Sequence, residues 1–310
     1  MSAAIPVTLI GGYLGAGKTT LVNHLLRNAN GRRLAVLVNE FGELSIDADL
    51  IVTRDGNLIS ISGGCICCSF GSDLLTALMQ LKERSNAIDH LLIETSGVAL
   101  PGSIVQSLTL LPALALDGVI VVADAETIEE RARDRYMGET VRAQVAHADI
   151  ILLNKIDLVL RERLDAISRW LAETAPRARI IPSRNADVPL EIVLGQYPRR
   201  QSDLTSLSAH HHTADYRTLS LAIDTPCDPT RLADALTKAN VGLLRAKGFV
   251  RGIDGRFVTV HIVGRRSVVE PAPAWIEGPG RIVCIGLADQ IDPPAIEAAI
   301  EACSTAHVHT

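Results

Sequence analysis

Short apolar runs, rich in β-branched residues, recur through the first two thirds of the chain at positions 7–10, 34–38, 58–61, 90–93, 119–123, 150–153 and 179–181. Segments of helical length separate most of them, at 19–28, 72–84, 141–147 and 161–174. Strand, helix, strand repeated this often predicts a largely parallel sheet with helices on both faces. In that architecture ligands gather at the carboxyl ends of the strands. The pattern then breaks into a stretch with Pro198, Arg199, Arg200, several Ser and Thr residues and the triplet His210-His211-His212. Such a stretch reads as a linker. Beyond it the order changes: a strand at 218–223, a helix at 229–240, a pair of strands within 248–263 folded at Asp254-Gly255, a strand at 281–285 and a helix at 294–303. A Gly-containing turn between Val250 and Phe257 is a hairpin signal, so this part is expected to be a small α+β unit. The expected division is 1–198 for the large domain, 199–215 for the linker, 216–304 for the small domain and 305–310 for a tail.

Composition narrows the partners. With 47% hydrophobic and 21% charged residues over 310 positions, the chain carries no signature of disorder. Its 30 basic and 35 acidic side chains leave a net charge of −5, and no basic block exceeds a pair, which argues against nucleic acid as a partner. Aromatics at 3% also leave few platforms for stacking bases. The start Met1-Ser2-Ala3-Ala4-Ile5-Pro6 lacks the basic and apolar regions of a signal peptide, and no apolar run is long enough to span a bilayer. A cytoplasmic location with no membrane partner is the expectation.

Chemistry concentrates in three places. The first is Gly12-Tyr13-Leu14-Gly15-Ala16-Gly17-Lys18-Thr19, which matches GxxxxGK[ST] in full between a predicted strand and a predicted helix. Glycines let consecutive N–H groups converge on phosphates, and the helix N-terminus adds its positive end. Lys18 should reach the β and γ phosphates of a nucleoside triphosphate, with Thr19 on Mg²⁺. Gly12, Gly15, Ala16, Gly17, Lys18, Thr19 and Thr20 are thus the candidate phosphate cradle. The expected fold is an α/β P-loop NTPase domain with a mostly parallel sheet, followed by the smaller α+β domain.

The second is Asn154-Lys155-Ile156-Asp157, an NKxD at the end of a strand. An Asp carboxylate there can accept both N1–H and N2–H₂ of guanine, a donor pair that adenine lacks, so GTP and GDP are the expected nucleotides. Ser183-Arg184-Asn185 is a candidate second wall for the base. On the phosphate side, Glu94-Thr95-Ser96-Gly97 ends another strand; Glu94 can hold Mg²⁺ through water and the Gly97 N–H can meet the γ phosphate. Asn39-Glu40-Phe41-Gly42-Glu43 stands where a switch loop would, with Glu40 and Glu43 able to orient water or bind metal. Lys18, Glu94 and Glu40 are therefore the candidate catalytic residues. A P-loop kinase or other ATP-dependent enzyme is the rival reading, against which the NKxD argues.

The third is Gly63-Gly64-Cys65-Ile66-Cys67-Cys68, where three thiols should emerge near the edge of the sheet that holds the phosphates. Thiolates this dense suit Zn²⁺ or Cu(I) in tetrahedral geometry. Cys65 and Cys68 are also spaced as CxxC, so a redox dithiol or a metal store stands beside metal delivery. Cys227, Cys284 and Cys303 are isolated, and Cys284 in particular reads as core. His24, His90 and His147 read as structural.

Taken in order, GGYLGAGKTT, VNEFGE, GGCICC, ETSG, QVAHADIILLNKIDL, LLRAKGFV and IVCIGL resemble the CobW family of GTPases over almost the whole chain. That resemblance implies a G domain like those of the hydrogenase- and urease-maturation GTPases, a CxCC metal motif and a small C-terminal domain. It further implies a GTPase that binds Zn²⁺, or Co²⁺ or another transition metal, at Cys65, Cys67 and Cys68, uses Mg²⁺ at Thr19 and Glu94, and delivers metal to a client metalloprotein. No oligomeric state follows from it.

Overall fold

The structure, a computed structural model, describes residues 4–38, 59–62, 88–195, 216–238, 241–274, 276 and 278–304. The chain divides into two compact units, Met1–Leu194 and Gly195–Thr310.

The first unit is built on strands β1 (Ile5–Gly11), β2 (Leu34–Val38), β3 (Ile59–Ser62), β4 (His90–Glu94), β5 (Leu114–Asp124), β6 (Ile150–Asn154) and β7 (Arg179–Pro182). They form one seven-stranded sheet in the order β3-β2-β4-β1-β5-β6-β7, with every pairing parallel. All seven apolar runs are strands, as the sequence pattern predicts. The helices are α1 (Lys18–Arg27), α2 (Pro101–Leu108), α3 (Ile128–Arg133), α4 (Gly138–Ala146), α5 (Arg161–Thr174) and α6 (Leu190–Leu194). On one face Leu9, Ile93, Val121 and Leu153 pack with Ile104 of α2, Val141 and Val145 of α4, and Ile167 and Leu171 of α5. Side chains alternate along a strand, so Thr8 faces the other way, where its hydroxyl donates to the Val193 carbonyl of α6 at 3.2 Å. Strands covered on both sides must be apolar on both sides, which is why they read as continuous runs.

β1 lies between β4 and β5: the chain runs from β1 to β2 and β3 on one side, returns to β4 beside β1, and continues through β5, β6 and β7 on the other. A crevice therefore opens beyond the carboxyl end of β1, the place where such sheets take their ligands. Among the described residues no helix is long and apolar enough to cross a membrane.

The second unit is a five-stranded antiparallel sheet, β8 (Tyr216–Ile223), β9 (Leu243–Arg251), β10 (Phe257–Val263), β11 (Arg266–Pro271) and β12 (Gly280–Leu287), in the order β11-β10-β9-β12-β8. Helices α7 (Pro229–Lys238) and α8 (Pro293–Ser304) share its core: Leu232, Leu236, Ile296 and Ile300 meet Ala246, Val250, Val260, Ile262, Ile282 and Cys284. The β9–β10 hairpin turns at Asp254-Gly255, where Gly255 takes φ 80°. The structure departs from the sequence pattern in its short helices, including α3 and α6, and in several strand limits, β5 beginning at Leu114. β9 starts at Leu243 rather than near 248, and α2 and β11 were not expected. β11 is an edge strand whose adjacent Val268 and Val269 are both 37% exposed, so it has no alternating pattern to read.

Candidate functional site

The loop after β1 is shaped by glycine. Gly12, Gly15 and Gly17 have φ of 132°, 74° and 110°, in the left-handed region that side chains resist. At Gly12 a Cβ would also run into the Val122 carbonyl of β5, and at Gly17 it would lie 2.5 Å from the Asn154 Nδ2. Gly17 caps α1, whose first turn carries no acidic residue and no side-chain cap. Its N–H groups are left directed at the crevice, a natural anion seat. Lys18 is buried and its Nζ donates to the Tyr13 carbonyl at 3.3 Å, so the ammonium curls back over the loop. On the rim, the Arg131 guanidinium of α3 sits 5.6 Å from the centre of the Tyr13 ring.

Two oxygens converge beside it. Glu94 ends β4 in register with Ile10 of β1 and is 3% exposed. Its Oε1 accepts the Thr19 hydroxyl at 2.9 Å. A hydroxyl and a carboxylate side by side are hard oxygen donors, the set that suits Mg²⁺ rather than a soft ion. The chain beyond Glu94 stays close: Thr95 N–H donates to the Ile10 carbonyl at 2.9 Å, and a Cβ on Gly97 would lie 2.5 Å from Leu14 Cδ2 and 2.9 Å from Leu14 N. Gly97 thus touches the phosphate loop, and Thr20 is exposed one residue beyond Thr19.

The NKxD residues divide their work. Asn154 is 2% exposed; its Nδ2 donates to the Ala16 carbonyl at 3.0 Å, and its Oδ1 accepts the Ala186 N–H at 2.8 Å. Both ends of the amide therefore tie the phosphate loop to the loop after β7. Lys155 takes φ 61° and its Nζ pairs with Asp124 Oδ2 at 2.7 Å. Asp157, in a single 3-10 turn at Ile156–Leu158, is exposed with its carboxylate available to a ligand. Of the expected second wall, Ser183 is buried and donates to the Asp187 carbonyl at 3.2 Å, while Arg184 and Asn185 are exposed. His24 of α1 holds the end of that loop through the Val188 carbonyl at 3.0 Å.

The family model for the CobW/HypB/UreG nucleotide-binding domain matches residues 6–182, and that for the cobalamin synthesis protein cobW C-terminal domain matches residues 216–304. This chain belongs to the CobW/HypB/UreG family. The CobW-family chain is 32% identical to the zinc chaperone CobW of Sinorhizobium sp, over 96% of its own length and 97% of that relative's. It is 30% identical to the zinc-regulated GTPase metalloprotein activator 1 of Dictyostelium discoideum, over 79% of its own length and 62% of that relative's. Among solved structures, the Zn(II)-bound YjiA GTPase from E. coli aligns at 27% identity with a TM-score of 0.47, covering 97% of this chain and 99% of that one.

Within this CobW-family chain, the described residues bring together Gly12, Gly15, Ala16, Gly17, Lys18, Thr19, Glu94, Gly97 and Asn154. Glu40, Glu43, Cys65, Cys67, Cys68 and the triplet His210 to His212 lie outside the described residues, as does the expected helix at 72–84. Cys227, Cys284 and Cys303 are free and buried. Burial pushes the Cys284 thiol up to about 12. Burial, with Cys303 and Asp228 adding negative charge nearby, pushes Cys227 up to about 11. Both stay protonated and inert near neutrality. Two residues of the site's framework, Asp124 and Gln144, had no motif of their own to mark them; Gln144 stands first in the QVAHAD run, which was the available signal.

Proposed function

We propose that this chain is a GTP-hydrolysing metallochaperone that binds Zn²⁺, or a transition-metal ion of similar ligand preference, at Cys65, Cys67 and Cys68 and hands it to a client metalloprotein. The observation that carries the reading is identity over nearly the full length to a relative named zinc chaperone, joined by identity over 79% of the chain to one named zinc-regulated GTPase metalloprotein activator. The geometry around Lys18, Thr19 and Glu94 supports it.

In this reading the phosphate-loop N–H groups and Lys18 bind the triphosphate, and the exposed Asp157 selects guanine. Thr19 and Glu94 would hold Mg²⁺, which when bound neutralises charge on the β and γ phosphates. The Gly97 N–H meets the γ phosphate, and Glu40 orients the attacking water. With no partner to supply charge or order that water, turnover is slow, on the order of 10⁻⁴ to 10⁻² per second. Zn²⁺ is cargo: linkage between the three thiolates and the nucleotide would let phosphate state set metal affinity, by about 1 to 3 kcal/mol as in other linked systems. The reading keeps the G domain at 1–198, the linker at 199–215, the small domain at 216–304 and a tail at 305–310, in the cytoplasm, with neither nucleic acid nor membrane as partner.

Calorimetry of Zn²⁺ binding tests it in three states: with a non-hydrolysable GTP analogue, with GDP and without nucleotide. The expected result is an affinity that differs between the GTP-analogue and GDP states. Equal affinity in all three would refute coupled delivery.

A further inference from the structure

Helix α4 carries a buried amide that its surroundings do not explain as packing. Gln144 is 1% exposed, on a helix whose neighbouring Val141 and Val145 are core. An apolar side chain would serve that position, since a buried amide must find partners for its polar atoms. The partners of its Nε2 are specific: it donates to the Gly97 carbonyl at 3.0 Å and to the Ala99 carbonyl at 2.9 Å. Both N–H groups of one amide are thus given to alternate residues of the loop between β4 and α2.

The residue capping the end of the same helix meets the first turn of α2. His147, three residues on and therefore a neighbour along the helix, stands against Gly102 so closely that a Cβ there would lie 2.5 Å from its Nε2. The ring is held by Nδ1 donating to the Ala143 carbonyl at 2.6 Å. Gly97 itself abuts Leu14 of the phosphate loop. Glycine has wide freedom on both sides of its Cα, so Gly97 keeps one orientation only if something outside fixes it. Gln144 supplies that constraint through the Gly97 carbonyl. Helix α4 is itself fastened to the sheet: Asp149, just beyond it, accepts the Val119 N–H at 2.9 Å and leads into β6, which ends at Asn154.

We infer that Gln144 is a positioning residue for GTP hydrolysis: by holding the Gly97 and Ala99 carbonyls it sets where the Gly97 N–H meets the γ phosphate. The inference rests on the GTPase reading above. A group that acts on the γ phosphate alone affects turnover and the distinction between GTP and GDP, not binding of the shared diphosphate.

The test uses the full chain with Gln144→Leu, which keeps the bulk and removes both donors, and Gln144→Asn, a milder change whose shorter amide does not reach. Steady-state hydrolysis, the affinity ratio of a GTP analogue to GDP, and the melting temperature are measured for each. The expected result is a kcat lowered by about tenfold to a hundredfold and a narrowed GTP-analogue to GDP ratio, with GDP affinity unchanged and KM for GTP raised only by the factor by which that ratio narrows. A fall in melting temperature with kcat and the ratio unmoved would make Gln144 purely structural and overturn the inference. Absence of turnover in the unsubstituted chain would instead overturn the GTPase reading, and this inference with it.

Discussion

Replacing Asn154 by alanine removes two buried hydrogen bonds at once, to the Ala16 carbonyl at 3.0 Å and from the Ala186 N–H at 2.8 Å. Each orphaned backbone group at such a site costs about 1 to 3 kcal/mol. Ala186 is fully buried at φ 54°, a conformation costing an L-residue roughly 1 to 2 kcal/mol, so the lost bond also removes what holds it there. A loss of about 3 kcal/mol is the working figure, and at roughly 2 to 4 °C per kcal/mol for a unit of this size the melting temperature should fall by about 6 to 12 °C. Because the Ala16 carbonyl belongs to the phosphate loop, GTP and GDP should weaken together, with the preference for guanine intact. Asp157→Ala is the matching control. Its exposed side chain makes stability changes above about 0.5 kcal/mol unexpected, while the discrimination of GTP from ATP should fall by about 10²-fold or more. Differential scanning calorimetry and fluorescent-nucleotide titration read both. The reasoning fails if Asn154→Ala melts like the unsubstituted chain and alters base preference instead.

Three further outcomes are expected, one at the phosphate site and two at the buried cysteines of the second unit. Glu94→Gln keeps the size but removes the charge beside Thr19; Mg²⁺-dependent turnover should fall by about 10²- to 10³-fold with nucleotide affinity in EDTA unchanged, and a normal Mg²⁺ response would count against the assigned pair. Thiol chemistry tests the buried cysteines: Cys227 and Cys284, raised to about 11 and about 12, and the buried Cys303 should resist iodoacetamide at pH 8 until denaturant is added. Because those folded values lie above the ordinary 9.0, the protonated thiols favour the folded small unit below about pH 9, and that contribution is lost as pH rises toward 11 to 12. Rapid native labelling of Cys284, read by peptide mass spectrometry, would contradict this.

Much of the architecture was legible in the sequence because its causes are local. A strand covered on both faces must be apolar throughout, so β1, β5 and β6 announce themselves in VTLI, VIVVA and IILL. Gly12 and Gly17 combine left-handed torsions with contacts to Val122 and Asn154 that a Cβ would break, while Gly15 carries the torsion alone. Helix α2 was less legible, since its eight residues PGSIVQSL carry too few turns to establish a period. Edge strand β11 was missed because half-exposed valines show neither a run nor an alternation.

The sequence by itself determined that a glycine-rich GxxxxGK[ST] loop, an NKxD motif and a thiol cluster share one chain, since each is a short stretch legible from its own spacing. Tertiary structure alone decided how those residues divide the labour. Asn154 and Asp157 sit three positions apart in one motif, yet one braces Ala16 and Ala186 in the interior and the other faces solvent. Gln144 lies 47 positions from Gly97 and is joined to it by a single amide. The physical reason is the same in both cases. A hydrogen bond gains its worth from burial and from the partner brought to it, and both are properties of the folded sheet rather than of neighbours in the chain.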